Sequence, residues 1–287
     1  MVVCRERPMS EPLLTKTLGD LRNQILAWGL GMGFLLFMTV LVYPSIGPSY
    51  ENLLNELPQE FQAFWGSDLD IGSFEGYLGA EFFNYTPIAL AVFAILAGTS
   101  SILGEETQGT LDLLLSQPIS RLRLISGKLA GLVIANGLVV MILLAIFFGT
   151  LVFMDIDVKI GRTMVAFLLL WPFLTAISFL SVLLSLLLSN RLFAGTVMAV
   201  LLVASFILDS LANLESGLEP LRPIYLTTYY QGGNALGSEV SWAYIAGLTG
   251  ILFVALSLSL WLFLRRDIAV QRSIGIRTRL MALIRPR

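Results

Sequence analysis

Six apolar runs free of Asp, Glu, Lys and Arg divide this chain: Ile25–Tyr43, Thr86–Leu103, Leu129–Phe153, Thr163–Ser189, Leu192–Leu208 and Ser241–Leu264. Crossing the hydrocarbon takes about 20 apolar residues in a helix, with a usual range of about 17–25. Each run meets that length, Leu192–Leu208 with help from its flanks. The runs are continuous rather than alternating, so they predict spanning helices and not the strands of a membrane barrel. Ahead of them, Leu14, Leu18, Leu21 and Ile25 recur at helical spacing, with Lys16, Asp20 and Arg22 off the stripe. Ser10 can cap that helix and Pro12 falls in its first turn. The pattern predicts an interfacial elbow helix over 9–24, lying on the membrane before the chain turns inward. A plain helical extension of the first span is the alternative.

The connections differ in character. The first outer loop, 44–85, has no Lys or Arg and carries Glu51, Glu56, Glu60, Asp68, Asp70, Glu75 and Glu81. Leu54, Leu57, Phe61 and Phe64 fall at helical spacing there, and Phe74, Tyr77, Leu78, Phe82 and Phe83 form a second such piece. Both read as helices at the outer interface, either a cap over an exit path or simple anchors. The connection Asn213–Val240 contains the breakers Pro220, Pro223 and Gly232–Gly233. Its Tyr225, Tyr229 and Tyr230, with Trp242, fit an interfacial aromatic belt. The tail, 265–287, is strongly basic and emerges directly from a span. Its natural partner is an anionic inner leaflet rather than nucleic acid.

Composition then narrows the class. The 287 residues are 56% hydrophobic and 13% charged, with mean hydropathy +0.81, a balance that belongs to integral membrane proteins. With both termini inside, all of the 18 basic residues except Lys159, Arg162 and Arg222 lie on the cytoplasmic side, as the positive-inside rule requires. Cys4 is the single cysteine and there is no histidine. That removes intrachain disulfides, Cys-based metal clusters and the commonest general base. The Asp68/Asp70 and Asp155/Asp157 pairs lack the remaining ligands of a calcium loop. We therefore expect no metal, no catalytic residue and no cofactor held by this chain. A G-x-x-x-x-G-K-[ST] phosphate loop is missing as well.

The most informative connection is Gly104–Lys128, G-E-E-T-Q-G-T-L-D-L-L-L-S-Q-P-I-S-R-L-R-L-I-S-G-K. Gly104 breaks the apolar run and Glu105 and Glu106 follow it. Gly109 and Thr110 start a compact helix carrying Leu111, Leu114 and Leu115. Pro118 ends it, because proline removes a backbone donor and disfavours helix in the residue before it. Arg121, Arg123 and Lys128 stand at the entrance to the next span. A stubby helix with exposed leucines at a membrane edge can act as a knob in another protein's groove. The alternative is a loop whose leucines lie back on the bilayer.

The spaced G-E-E, G-T-L, P-x-S-R and G-K elements resemble the first cytoplasmic loop of permeases from the type-2 ATP-binding-cassette (ABC) exporter superfamily. The resemblance implies an all-α polytopic fold of one domain, with six spans, an elbow helix, a coupling helix and a helical first outer loop. It also implies a second permease subunit, identical in the simplest case, and two copies of an ATPase subunit that bind MgATP. The residues it assigns to ATPase coupling are Glu105, Glu106, Gly109, Thr110, Leu111, Leu114, Leu115, Pro118 and Arg121. The setting it implies is the plasma membrane of a prokaryote. Spans without ionisable residues agree with an external energy source, since ion-coupled carriers use at least one buried charge. A non-transporting membrane scaffold and a secondary carrier for an apolar solute are the competing classes.

Polar positions inside the spans are mild. Ser178, Ser181 and Ser185 share one helix face, which either packs on a neighbour or lines a path. Gly29 and Gly33 form a small-residue face in the first span, and Gly127 and Gly131 another in the third, within one subunit or across a dimer. Trp171–Pro172 predicts a kink in the fourth span.

Overall fold

The computed structural model describes residues 11–55, 73–108, 120–154, 156, 158–188, 190–214, 217–237 and 240–265. Among these residues the chain is helical, and six helices are long and apolar enough to cross a membrane: Leu13–Ile46, Phe74–Gly104, Arg121–Leu151, Ile160–Leu188, Arg191–Leu211 and Trp242–Arg265. All six predicted runs are therefore helices.

The first helix, α1 (Glu11–Asn55), runs without a break through the expected elbow and beyond the expected end of the span. The segment before Ile25 does not form a helix of its own, because its apolar stripe is occupied within the bundle. Leu13, Leu21 and Ile25 are buried, against α4 (Arg121–Leu151). The two helices approach through small residues. A Cβ added to Gly131 would stand 2.6 Å from the Thr17 methyl, and one on Gly127 3.4 Å from Leu13 Cβ. Further along, Gly29 meets Ile142 and Gly33 meets Ile146. The pairs rise together along both helices, so α1 and α4 run parallel.

At the centre lie α3 (Thr86–Gln108) and α5 (Ile160–Leu188). Gly98 of α3 seats directly on α5, where a Cβ would fall 2.5 Å from the Ser178 carbonyl oxygen and 2.9 Å from Ser181 Cβ. Ser178, Ser181 and Ser185 are all buried at this seam. Between membrane helices no hydrophobic force acts as it does in water, so close backbone approach and hydrogen bonds supply the attraction. The α5 helix continues through Pro172. Its neighbour Trp171 donates from Nε1 to the Val133 carbonyl at 2.8 Å, and the indole rests on Gly137 of α4. By contrast α6 (Arg191–Leu211), capped by Asn190 Oδ1 accepting from the Phe193 amide at 3.1 Å, and α8 (Trp242–Arg265) are peripheral. Their outward faces expose Val200, Leu201, Ile207, Phe253, Val254 and Leu258, a surface suited to lipid.

At the outer end the structure differs from the sequence expectation. Phe74–Leu78 forms the short helix α2, capped by the Ser73 hydroxyl accepting from the Gly76 amide at 3.1 Å, and Gly79–Phe83 continues it as a π-turn into α3. Phe74, Tyr77, Leu78, Phe82 and Phe83 are buried rather than interfacial. They meet Tyr43, Phe147 and Phe167 of three other helices, with Tyr43–Phe74 centroids 4.9 Å apart and Phe83–Phe167 centroids 4.8 Å apart, both edge-on. A helical spacing of aromatic residues does not distinguish a bilayer interface from a protein interior. Here the neighbouring helices provide rings to pack on. Of the expected piece at Leu54–Phe64, Leu54 falls in the last turn of α1, and Leu57, Phe61 and Phe64 lie outside the described residues.

The connection before α8 also folds inward. Two 3-10 turns, Glu219–Ile224 and Thr227–Tyr229, lead to the short helix α7 (Gly232–Gly237), whose Gly232, Ala235 and Leu236 are buried. Tyr225 is buried as well, whereas Trp242 is exposed, so only part of the expected aromatic belt faces outward. Asp209, in the last turn of α6, anchors the turns. Its carboxylate accepts from Thr228 Oγ1 at 2.7 Å and from Thr227 Oγ1 at 3.2 Å, and Ser205 Oγ accepts from the Thr227 amide at 3.1 Å.

Candidate functional site

Of the predicted coupling segment, the two flanks are described and the middle is not. Gly109, Thr110, Leu111, Leu114, Leu115 and Pro118 lie outside the described residues. Gly104 does not end the helix. It sits inside α3, which continues through Glu105 and Glu106 to Gln108. On the far side, α4 starts at Arg121, well before the expected span start at Leu129. Ser120 is its cap, with Oγ accepting from the Arg123 amide at 3.3 Å. Among the described residues α3 thus ends at Gln108 and α4 begins at Arg121. Arg121, Leu122 and Arg123 are exposed on the first turn of α4, while Leu124 and Ile125 turn inward.

Lys128 ties the two flanks together. It is 5% exposed, and its Nζ donates to the Ser101 carbonyl oxygen of α3 at 2.6 Å. A cation near the C-terminal end of a helix is favoured by the helix dipole and by the carbonyls there. The turn it grips is polar: Thr99, Ser100 and Ser101 each donate a hydroxyl to a carbonyl of the preceding turn, at 2.8, 3.1 and 2.7 Å. The start of α1 packs on Gly127 and Gly131 next to it. Three helices therefore meet where the segment begins and ends. The sequence reading placed Lys128 among cytoplasmic topology charges. The signal for its inward position was available, since Leu124, Lys128, Leu132 and Ala135 fall on one face at helical spacing and are all buried.

A second polar group lies deeper. Asn136 Nδ2 of α4 donates to Ser178 Oγ at 3.0 Å, and Ser178 Oγ approaches the Ala94 carbonyl at 3.3 Å. Asn136 Oδ1 is buried without a partner. Ser181 and Ser185 donate within α5, to Ile177 O and Val182 O, both at 2.7 Å. This geometry is that of a packed helix seam. Gly29 and Gly33 likewise pack within one chain, against α4.

The expectation of spans without ionisable residues needs correction. The spanning helices extend further than the apolar runs, and their ends take in Glu75, Lys128 and Asp209. Protein groups stand in for water there: the Ser101 carbonyl for Lys128, the Lys159 amide for Glu75, and the Thr227 and Thr228 hydroxyls for Asp209.

Six helices long and apolar enough to span a membrane, packed on one another through small and hydroxyl residues, define a multi-pass membrane protein. The family model described as ABC-2 family transporter protein matches residues 12–268. The chain belongs to the ABC-2 transporter family and is a membrane permease of an ABC transporter. No curated protein matches the chain.

Proposed function

We propose that this chain is the permease subunit of an exporter driven by a separate ATPase, which docks on the segment Glu105–Arg121. What supports this most is the grip on that segment's flanks: α3 runs directly into it, α4 runs directly out of it, and Lys128 joins the two. A push on residues 109–120 would reach α3, a central helix of the bundle, without an intervening flexible linker.

The proposed mechanism is mechanical. MgATP closes a pair of ATPase subunits, whose grooves hold Leu111, Leu114 and Leu115. Glu105, Glu106 and Arg121 add charged contacts at the rim of each groove. The displaced segment tilts α3 and α4, and the bundle passes between two accessible states. The permease pairs with a second copy, and both termini lie on the ATPase side of a prokaryotic plasma membrane.

The test replaces Leu111 and Leu114 with Asp together. We expect normal membrane insertion but loss of the copurifying ATPase, because two charges entering an apolar groove cost several kcal/mol. Copurification and transport at the unmodified level would overturn the docking site. Uphill solute movement by the purified chain alone, driven by an ion gradient in liposomes, would favour a secondary carrier instead.

A further inference from the structure

We infer that a cavity at the opposite end of the bundle binds an ammonium group, carried by a small amphipathic molecule or a lipid headgroup. The inference does not rest on ATPase coupling. The cavity measures about 420 Å³ and is lined by Tyr43 and Pro44 of α1, Ser73, Phe74 and Glu75 at the start of α2, and Ile156 and Lys159 before α5. That volume is in the range of small-molecule sites, roughly 300–1,000 Å³.

Glu75 is the feature that selects the ligand. It is 4% exposed, and Oε1 accepts from the Lys159 backbone amide at 2.6 Å. Among the described residues no cation pairs with it. The stretch that precedes Ser73 in sequence, 56–72, contains neither Lys nor Arg, and Lys159, which also lines the cavity, is an exposed residue. A carboxylate buried with one neutral donor is costly unless a positive group completes it. The walls favour the same chemistry. Tyr43 and Phe74 present aromatic rings beside the carboxylate, and such rings attract ammonium and quaternary ammonium groups. Ile156 and Pro44 offer an apolar surface for a short tail.

The experiment uses the full chain in dodecyl maltoside, titrated by calorimetry with hexyltrimethylammonium and, separately, with 1-hexanol. The ammonium should bind and the alcohol should not. Glu75→Gln keeps an acceptor for the Lys159 amide and removes the charge, and it should weaken ammonium binding about tenfold or more. Tyr43→Leu should weaken it by a smaller factor, and this variant serves if E75Q loses its monodisperse elution profile. Lys159→Ala should bind as well as or better than the unmodified chain. Equal binding by E75Q, equal binding of hexanol, or binding by K159A alone would each overturn the proposal. The last of these would make Lys159 the counter-ion of Glu75. Displacement of the probe by phosphatidylethanolamine but not phosphatidylglycerol assigns the site to a lipid headgroup, and no displacement by either assigns it to a free solute.

Discussion

The central helices α3 and α5 and the peripheral helices α6 and α8 are all apolar enough to span a membrane, yet they are built differently. The central pair meets through Gly98, Ser178 and Ser181, so closely that a Cβ on Gly98 would fall 2.5 Å from the Ser178 carbonyl oxygen. The peripheral pair turns Val200, Leu201, Phe253 and Val254 outward. Lipid tails are as apolar as leucine, so an outward Leu gains nothing by finding a protein partner. An inward Gly or Ser gains dispersion contacts and hydrogen bonds that lipid cannot supply. Hydropathy is therefore nearly blind to which helix is central, and the small and hydroxyl residues carry that information. The helix that leads into the proposed coupling segment, α3, belongs to the tightly packed class.

Three substitutions probe this contrast, in falling order of expected effect. Gly98→Leu should be the most damaging. Its Cβ alone would meet a backbone carbonyl at 2.5 Å, so the loss should reach about 3 kcal/mol or more, the upper part of the range for overpacking. Thermal unfolding in detergent measures it, and a midpoint unchanged from the parent would mean that α3 and α5 do not meet as described.

Lys128→Met should follow. It leaves the Ser101 carbonyl without its cationic donor, costing roughly 1–3 kcal/mol, and it should loosen the hold of α4 on the end of α3. The expected signature is ATPase activity less dependent on the permease, with partial recovery in Lys128→Arg. A K128M protein with normal coupling and normal thermal stability would reduce Lys128 to a topology charge. Leu201→Val on the outward face of α6 should change the midpoint least, within about 0.5 kcal/mol. A larger loss there would mark that face as a contact with a second copy rather than with lipid.

The apolar runs made the number and order of the spanning helices legible, because each turn of helix in hydrocarbon must be covered by apolar side chains. Other features were not legible. The pattern of Phe74, Tyr77, Leu78, Phe82 and Phe83 is the same whether the rings face lipid headgroups or Phe147 and Phe167. The apolar stripe of Leu14, Leu18, Leu21 and Ile25 predicted a surface helix, but the start of α1 found Gly127 and Gly131 of α4 and stayed in line with the first span. Gly104, a helix breaker by propensity, was held inside α3 by its surroundings, as tertiary context commonly overrides propensity.

By itself the sequence determined the class of molecule: six apolar runs of spanning length and, over residues 12–268, a match to the ABC-2 transporter family. Only the tertiary structure decided what the inward charges meet. Lys128 shares a helix face with Leu124, Leu132 and Ala135, which marks it as inward-facing, but the fold supplies its partner, the Ser101 carbonyl of α3. Glu75 reads as one of seven outer-loop carboxylates until α2 tucks it beneath Lys159. The reason is physical: covering a helix with apolar residues is a local matter, whereas satisfying a buried charge depends on groups far away in the chain.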